Sequence, residues 1–282
     1  MADSNKKIVC FGEVLWDVYP EGKKLGGAPF NVSAHIAQQG SSGYMISRVG
    51  ADDHGREILE EMVKKGISTD FTAVDALYPT GIVHVTLDAL GKPAYEIKQP
   101  AAWDFIQADS ENMALVQEAD VFVYGSLASR NATSQASLFK LLEQANLKVC
   151  DLNIRLNYFD RSLIEQLLES ADILKINDEE AELLMHLFDL DAGQFYESLQ
   201  ARFGLQIIIQ TLGEKGAEAY SDGHVFQSPG LKIEVVDSVG SGDAFLSAFI
   251  HNYLQKPDIQ HCLDLACARG AYVATQPGAI PD

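Results

Sequence analysis

KIEVVDSVGSGDAFLSAFIHNYLQ, Lys232 to Gln255, is the stretch that decides the fold. Its first six residues read as a strand, with Ile233, Val235 and Val236 carrying the apolar weight. Ser238-Val239-Gly240-Ser241-Gly242 follows as a turn. The next run has helical spacing, with Ala244, Phe245, Ala248, Phe249 and Leu254 available to a core. Strand, glycine-rich turn and helix, in that order, aim free backbone N–H groups and a helix dipole at an anion. Asp243 sits inside the helix N-terminus. A carboxylate there serves as a cap or dipole partner. Beside an anion-binding turn it can also take a proton from a hydroxyl while the turn holds the developing charge. The two glycines before it let a bulky group approach the backbone. Together these features point to phosphoryl transfer to an alcohol.

Two other glycine-rich loops are excluded. A P-loop needs a lysine after its last glycine, and Asp243 follows Gly242. A dinucleotide fingerprint needs a third glycine where Phe245 stands, and needs it after the first strand. Asp237 to Phe245, D-S-V-G-S-G-D-A-F, instead resembles the C-terminal signature of the ribokinase-like (PfkB) carbohydrate kinases, usually D-T-x-G-A-G-D. Ser238 and Ser241 depart from that pattern, and both stay small.

The chain has 282 residues, 47% of them hydrophobic, which is enough for a substantial core. Its net charge of −19 makes it a poor partner for nucleic acid or an anionic membrane surface. A phosphate site must then be built locally, from backbone dipoles and a few basic residues. Cys10, Cys150, Cys262 and Cys267 lie scattered in apolar segments without metal-ligand spacing, and read as reduced thiols of a cytoplasmic protein. MADSNKK has no apolar signal core, and no apolar run approaches the roughly 20 residues of a membrane span.

At the other end of the chain, Ile8 to Phe11 reads as a buried strand leading to Gly12-Glu13, with Asp17 in the turn beyond it. Gly22 to Gly27 holds three glycines and two lysines, and Pro29 opens a helix that ends at Gly40. Glycine at Gly26 and Gly27 would let the backbone touch a sugar whose hydroxyls bond Asp17 and Asn31. G-G-A-P-x-N, Gly26 to Asn31, resembles the N-terminal signature of the same family in its fructokinase-like form, and Asp17 matches the family's sugar-binding aspartate. Tyr44 to Val49 is the next strand. Gly50 to Gly55 resembles the family's G-x-D-x-x-G element, one residue out of step, with Gly50, Asp53 and Gly55 as anchors, and an amphipathic helix runs from Gly55 to Lys65.

From Thr80 to Gln99 the period changes to that of a hairpin turning at Gly91-Lys92-Pro93. The resemblance makes it part of a β lid, built from about residues 15–26 and 78–102, that closes over the sugar. Ala101-Ala102-Trp103-Asp104 resembles a fructokinase-like stretch near the sugar, which makes Asp104 a candidate contact. Beyond it, strands at 121–124, 147–151, 173–176 and 206–210 alternate with helices at about 132–145, 161–169, 178–188 and 193–203. Such alternation means right-handed β-α-β units, a mostly parallel sheet with helices on both faces, and sites at the carboxyl ends of strands.

The polar residues at those ends continue the family's order of motifs. Arg155 of Asp151-Leu152-Asn153-Ile154-Arg155 matches the D-x-N-x-R arginine, a candidate to meet phosphate. Asn177 and Glu180 make a capping box and also match the N-x-x-E motif that orders magnesium. Thr211, Gly213 and Gly216 resemble the T-x-G-x-x-G nucleotide turn. The segment 258–275 is mostly helical, and the loop at Gly278 follows it, where the family closes its adenine pocket. Members often hold a monovalent cation between that loop and the aspartate equivalent to Asp237, which puts K⁺ beside Mg²⁺ and ATP among the cofactors.

The resemblance thus implies one ribokinase-like α/β domain over residues 1–282, carrying a small β lid. The implied reaction is ATP-dependent phosphorylation of a sugar hydroxyl, with D-fructose preferred. Asp243 is the expected base, and Gly240, Ser241, Gly242 and Arg155 the expected phosphoryl stabilisers. Asp17, Gly26, Gly27, Asn31 and Asp104 would hold the sugar. Two alternatives stand: a kinase for another sugar or for a 2-keto-3-deoxy sugar acid, for which Lys23, Lys24 and Lys98 offer cations, and a non-catalytic sugar-binding regulator. Lid strands pairing between subunits suggest a homodimer by analogy.

Overall fold

A computed structural model describes residues 6–20, 22–87 and 93–281. The part of the hairpin turn expected at Gly91-Lys92 lies outside them. The first strand, β1 (Lys7–Phe11), shows how the main sheet is filled. Val9 and Phe11 point to one apolar layer, while Ile8 and Cys10 point to the other. A strand buried on both faces belongs inside a parallel sheet covered by helices.

That sheet has nine strands in the order β13-β12-β11-β10-β9-β8-β1-β4-β5. They are β1, β4 (Ser42–Gly50), β5 (Thr72–Asp75), β8 (Val121–Tyr124), β9 (Leu147–Asp151), β10 (Ile173–Asn177), β11 (Ile207–Thr211), β12 (Gly216–Ser221) and β13 (His224–Pro229). Pairings from β5 through β11 are parallel, and the β11–β12 and β12–β13 pairings are antiparallel. One apolar layer takes in α1 (Ala28–Gln38), α2 (Asp53–Lys64), α8 (Ser241–Gln255) and α9 (Ile259–Ala274) through Phe30, Ile58, Phe249 and Leu263. The other takes in α3 (Ser110–Glu118), α4 (Ala132–Leu142), α5 (Arg161–Glu169), α6 (Asp178–Phe188) and α7 (Phe195–Phe203) through Leu115, Leu141, Leu167, Leu184 and Leu199. All four cysteines are free thiols, and among the described residues no helix is long and apolar enough to cross a membrane.

A second, smaller sheet stands apart, in the order β3-β2-β6-β7: β2 (Leu15–Tyr19), β3 (Gly22–Gly26), β6 (Gly81–Leu87) and β7 (Pro93–Ile97). It joins two segments far apart in sequence, because β2 pairs in parallel with β6. The glycine- and lysine-rich tract Gly22–Gly26 is a strand of this sheet, held by β2.

Two expectations need correction. Lys232 to Asp237 is not a strand; the segment between β13 and α8 has no regular structure. Its Val236 and Asp237 N–H groups bond the carbonyl of Ala274 at the end of α9. Val235 and Val236 are 61% and 62% exposed, so their apolar alternation does not mark a buried strand. In its place the sheet ends in the β12–β13 hairpin, which turns at Asp222-Gly223 with both residues at positive φ. At the start of α2 the anchor is Asp52, not Asp53. Asp52 accepts from Gly55 N and from Thr80 N and Oγ1, while Asp53 stays exposed beside Arg56.

Candidate active site

Polar side chains converge where the carboxyl ends of β1, β9 and β10 meet the N-termini of α1 and α8. Gly240 takes φ +79 as it leads into α8, and a Cβ there would strike Ala279 of the C-terminal loop at 2.6 Å. The turn therefore requires glycine on two counts. Ser241 N–H closes the turn onto Ser238 O at 3.3 Å. The Gly240 and Gly242 N–H groups stand at the helix end where donors have no intrahelical partner. Ser241 Oγ donates to Gly270 O of α9 and fixes the turn from behind.

Asp243, in the first turn of α8, accepts a hydrogen bond from Asn31 Nδ2 at 2.7 Å. Burial, and next the charge of Asp151, push its carboxyl up to about 6, while Asn31, Lys175 and Arg155 pull the other way. Beside it lies a buried ion pair absent from the sequence expectations: Lys175 Nζ bonds Asp151 Oδ1 at 2.7 Å, with side chains 8% and 6% exposed. Burial alone would lower the Lys175 pKa, but the carboxylates of Asp151, Glu180 and Asp243 outweigh it and raise it. Lys175 is thus a fixed cation, and its Nζ lies 3.5 Å from where a Cβ on Gly242 would be. Its one sequence signal was a charge within the apolar strand ILKIN.

On the other side are Asp17 and Glu13. Burial raises Asp17 to about 6 against the pull of Arg155 and Lys24. Burial raises Glu13 to about 7, opposed by backbone N–H groups and Arg155. Gly26 and Gly27 earn their place here, since a Cβ on Gly26 would run into the Asp17 carboxylate and one on Gly27, at φ +110, into the Glu13 carbonyl. Arg155 is exposed, and its only side-chain bond among the described contacts is to the Ile154 carbonyl. It is displayed by a loop in which Asn153 and Leu156 both take positive φ, a conformation that costs about 1 kcal/mol or more for leucine.

Asn177 and Glu180 form the full capping box of α6, and Glu180 also accepts from Ile154 N. It thereby ties the Arg155 loop to β10. Among the described residues no three His, Cys, Asp or Glu side chains gather as a metal cluster. Asp237 accepts from Val239 N and Gly278 N, each at 3.1 Å, and from Lys24 Nζ of β3. Gly278 thus braces the turn that leads into α8. Asp104 is not free for a ligand. Both its oxygens are taken by Arg130, and one also accepts from Ala101 N. Arg130 stacks 3.7 Å from the Trp103 ring, so Asp104 holds a buried wall rather than an open contact.

A groove of about 870 Å³ runs from this centre along α8 and α9. Asn177, Thr211, Gly213 and Gly216 line one side with Ser241 and Gly242 at its end, and Leu231, Ile233 and Val235 form an apolar wall. The residues misread as a strand are therefore groove wall. On α1, one turn beyond Asn31, His35 bonds the Ala279 carbonyl at 2.9 Å and so holds the loop that packs on Gly240.

The sequence pattern described as "pfkB family carbohydrate kinase" matches residues 5–282. The chain belongs to that family. Fructokinase-2 of Oryza sativa subsp. japonica is 28% identical over 97% of this chain and 90% of its own length. Among solved structures, a fructokinase from Xylella fastidiosa with bound ATP superposes with a TM-score of 0.88 at 24% identity, covering 98% of this chain and 94% of that one. A fructokinase double mutant from Vibrio cholerae O395, in fructose, ADP and potassium ion bound form, gives 0.86 at 23% identity over 99% and 96%. At these identities the two structures establish the ribokinase-like fold.

Proposed function

We propose that this kinase transfers the γ-phosphoryl group of ATP to the 6-hydroxyl of D-fructose. The observation that carries the reading is the position of Asp243, with Asn31 and Asp17 on one side and the groove ending at Ser241 and Gly242 on the other. The relatives named fructokinase support the choice of sugar. Asp17, Asn31 and the Gly26-Gly27 loop orient the sugar. Asp243 takes the hydroxyl proton as the oxygen attacks phosphorus and the bond to ADP breaks. The N–H groups of Gly240 and Gly242 hold the transferring phosphoryl group, Arg155 meets its charge, and Lys175 offsets part of the charge of the Asp151, Glu180 and Asp243 carboxylates around it. The small sheet serves as a lid that keeps water from competing.

A divalent ion that arrives with the triphosphate and keeps most of its waters fits this site. Asn177 lines the groove, and Glu180 stands behind it with each oxygen already accepting a backbone N–H, so contact would pass through water. Bound there, Mg²⁺ neutralises phosphate charge. K⁺ on Asp237 does not fit. The ammonium of Lys24 already lies 3.1 Å from Asp237 Oδ2, and a second cation on the same carboxylate would be repelled by it.

A sugar-acid substrate is disfavoured because the cations it would use are engaged: Lys23 with Glu57, Lys24 with Asp237 and Lys98 with Glu96. The test is ADP release with Mg-ATP over fructose, ribose, glucose, 2-keto-3-deoxygluconate, fructose 6-phosphate and adenosine. Preference for fructose is expected. Activity on another acceptor alone would overturn the sugar, and silence across the panel with sugar binding intact would overturn turnover itself.

A further inference from the structure

The lid strand β3 is fastened to the body of the protein on both of its faces. Lys23 reaches α2, meeting Glu57 and His54 and lying 4.4 Å over the Trp16 ring. Lys24, the next residue, points the other way. Its Nζ lies 3.1 Å from Asp237 Oδ2, a residue more than two hundred positions away in sequence. Asp237 opens the turn that runs to Gly242, and it also bonds Gly278 N of the C-terminal loop that packs on Gly240. One carboxylate therefore organises both loops behind the phosphate-binding turn.

A bare negative charge at that place would oppose the triphosphate. Burial alone would raise the Asp237 pKa, but Val239 N–H, Lys24 and Gly278 N–H together hold it below its usual range. It stays ionised and needs a counter-charge. The side chains of Lys24 and Asp237 are 51% and 20% exposed, so the pair is accessible and can form and break with the lid.

We propose that Lys24 is a positioning residue whose ammonium serves as a built-in cation on Asp237, in place of a monovalent metal ion. The charge that completes the phosphate turn is then delivered by the lid, and only when β3 is seated. This rests on the kinase reading above and goes beyond it in two consequences: turnover needs no added K⁺, and loss of Lys24 creates a K⁺ requirement.

The test compares wild type, Lys24→Met and Lys24→Arg in KCl and in tetramethylammonium chloride at equal ionic strength. It reads both kcat with Mg-ATP and fructose and the melting temperature without nucleotide. Wild type and Lys24→Arg are expected to give the same kcat and the same melting temperature in the two salts. Lys24→Met is expected to lose about two- to fivefold in kcat in tetramethylammonium, the range of a partly exposed ion pair. KCl should restore that loss and raise the variant's melting temperature. Wild type that needs K⁺ for turnover, or melts higher in it, would overturn the proposal. So would Lys24→Met indifferent to the salt, or Lys24→Arg that behaves as Lys24→Met. If wild type phosphorylates no sugar, the kinase reading has failed, and the melting temperatures still decide the role of Lys24.

Discussion

Lowering the pH should switch the enzyme off through Asp243, the proposed base. Asp243 is raised to about 6 and must be ionised to accept the hydroxyl proton. With one such group, half of the plateau kcat/KM remains at pH 6 and roughly a tenth at pH 5, a tenfold loss per unit below that. Glu13, at about 7, and Asp17, at about 6, titrate in the same window, so the limb belongs to the cluster and will be broad. The neighbours of Asp243 separate its share. Asp151 raises its pKa and Lys175 lowers it. Asp151→Asn should therefore move the acid limb to lower pH, and Lys175→Met should move it to higher pH. The assay is kcat/KM for fructose from pH 4.5 to 8.5 in a constant-ionic-strength buffer. A wild-type limb near 4, where an ordinary aspartate titrates, would refute the argument. So would Asp151→Asn and Lys175→Met shifting the limb in the same direction.

Three further outcomes are expected. Asp243→Asn should lower kcat by about 10²- to 10⁴-fold while fructose binding by calorimetry stays near wild type; retained turnover would remove Asp243 as the base. Gly27→Ala should destabilise the fold by about 1–3 kcal/mol, because alanine must hold φ +110 and meets the Glu13 carbonyl; an unchanged denaturation midpoint would contradict the packing described. Lys175→Met should destabilise by about 3–5 kcal/mol by leaving Asp151 buried and unpaired, and Asp151→Asn with Lys175→Met should recover most of it. Urea denaturation of Lys175→Met and of the double variant, against wild type, checks this.

The strands 121–124 and 147–151 and the helix 161–169 were legible because each carries its own period and its own cap, such as Asp160 accepting from Leu163 N. The Gly26–Asn31 and Asp237–Asp243 elements were legible because close approach demands glycine in the sequence itself. What failed was non-local. Alternating apolar residues at 232–237 mark an exposed groove wall as readily as a strand, and only the placement of α9 decides between them. Asp104 offered a carboxylate in a promising place, but its partner Arg130 lies 26 residues on, on another element. Lys175 and Asp151 come from neighbouring strands, and sheet register brings them opposite each other. Glu13 differs from a surface carboxylate only by what covers it. The β12–β13 hairpin was within reach, since Asp222-Gly223 is a strong turn signal.

Helix α1 begins at the sugar loop, holds Asp243 through Asn31, and one turn later holds the C-terminal loop through His35. It works as a rigid lever whose short arm lies at the proposed acceptor pocket and whose long arm supports the Gly240 turn, the proposed phosphoryl site. Any redesign of the acceptor at Gly26–Asn31 shifts this lever and misaligns the base with it.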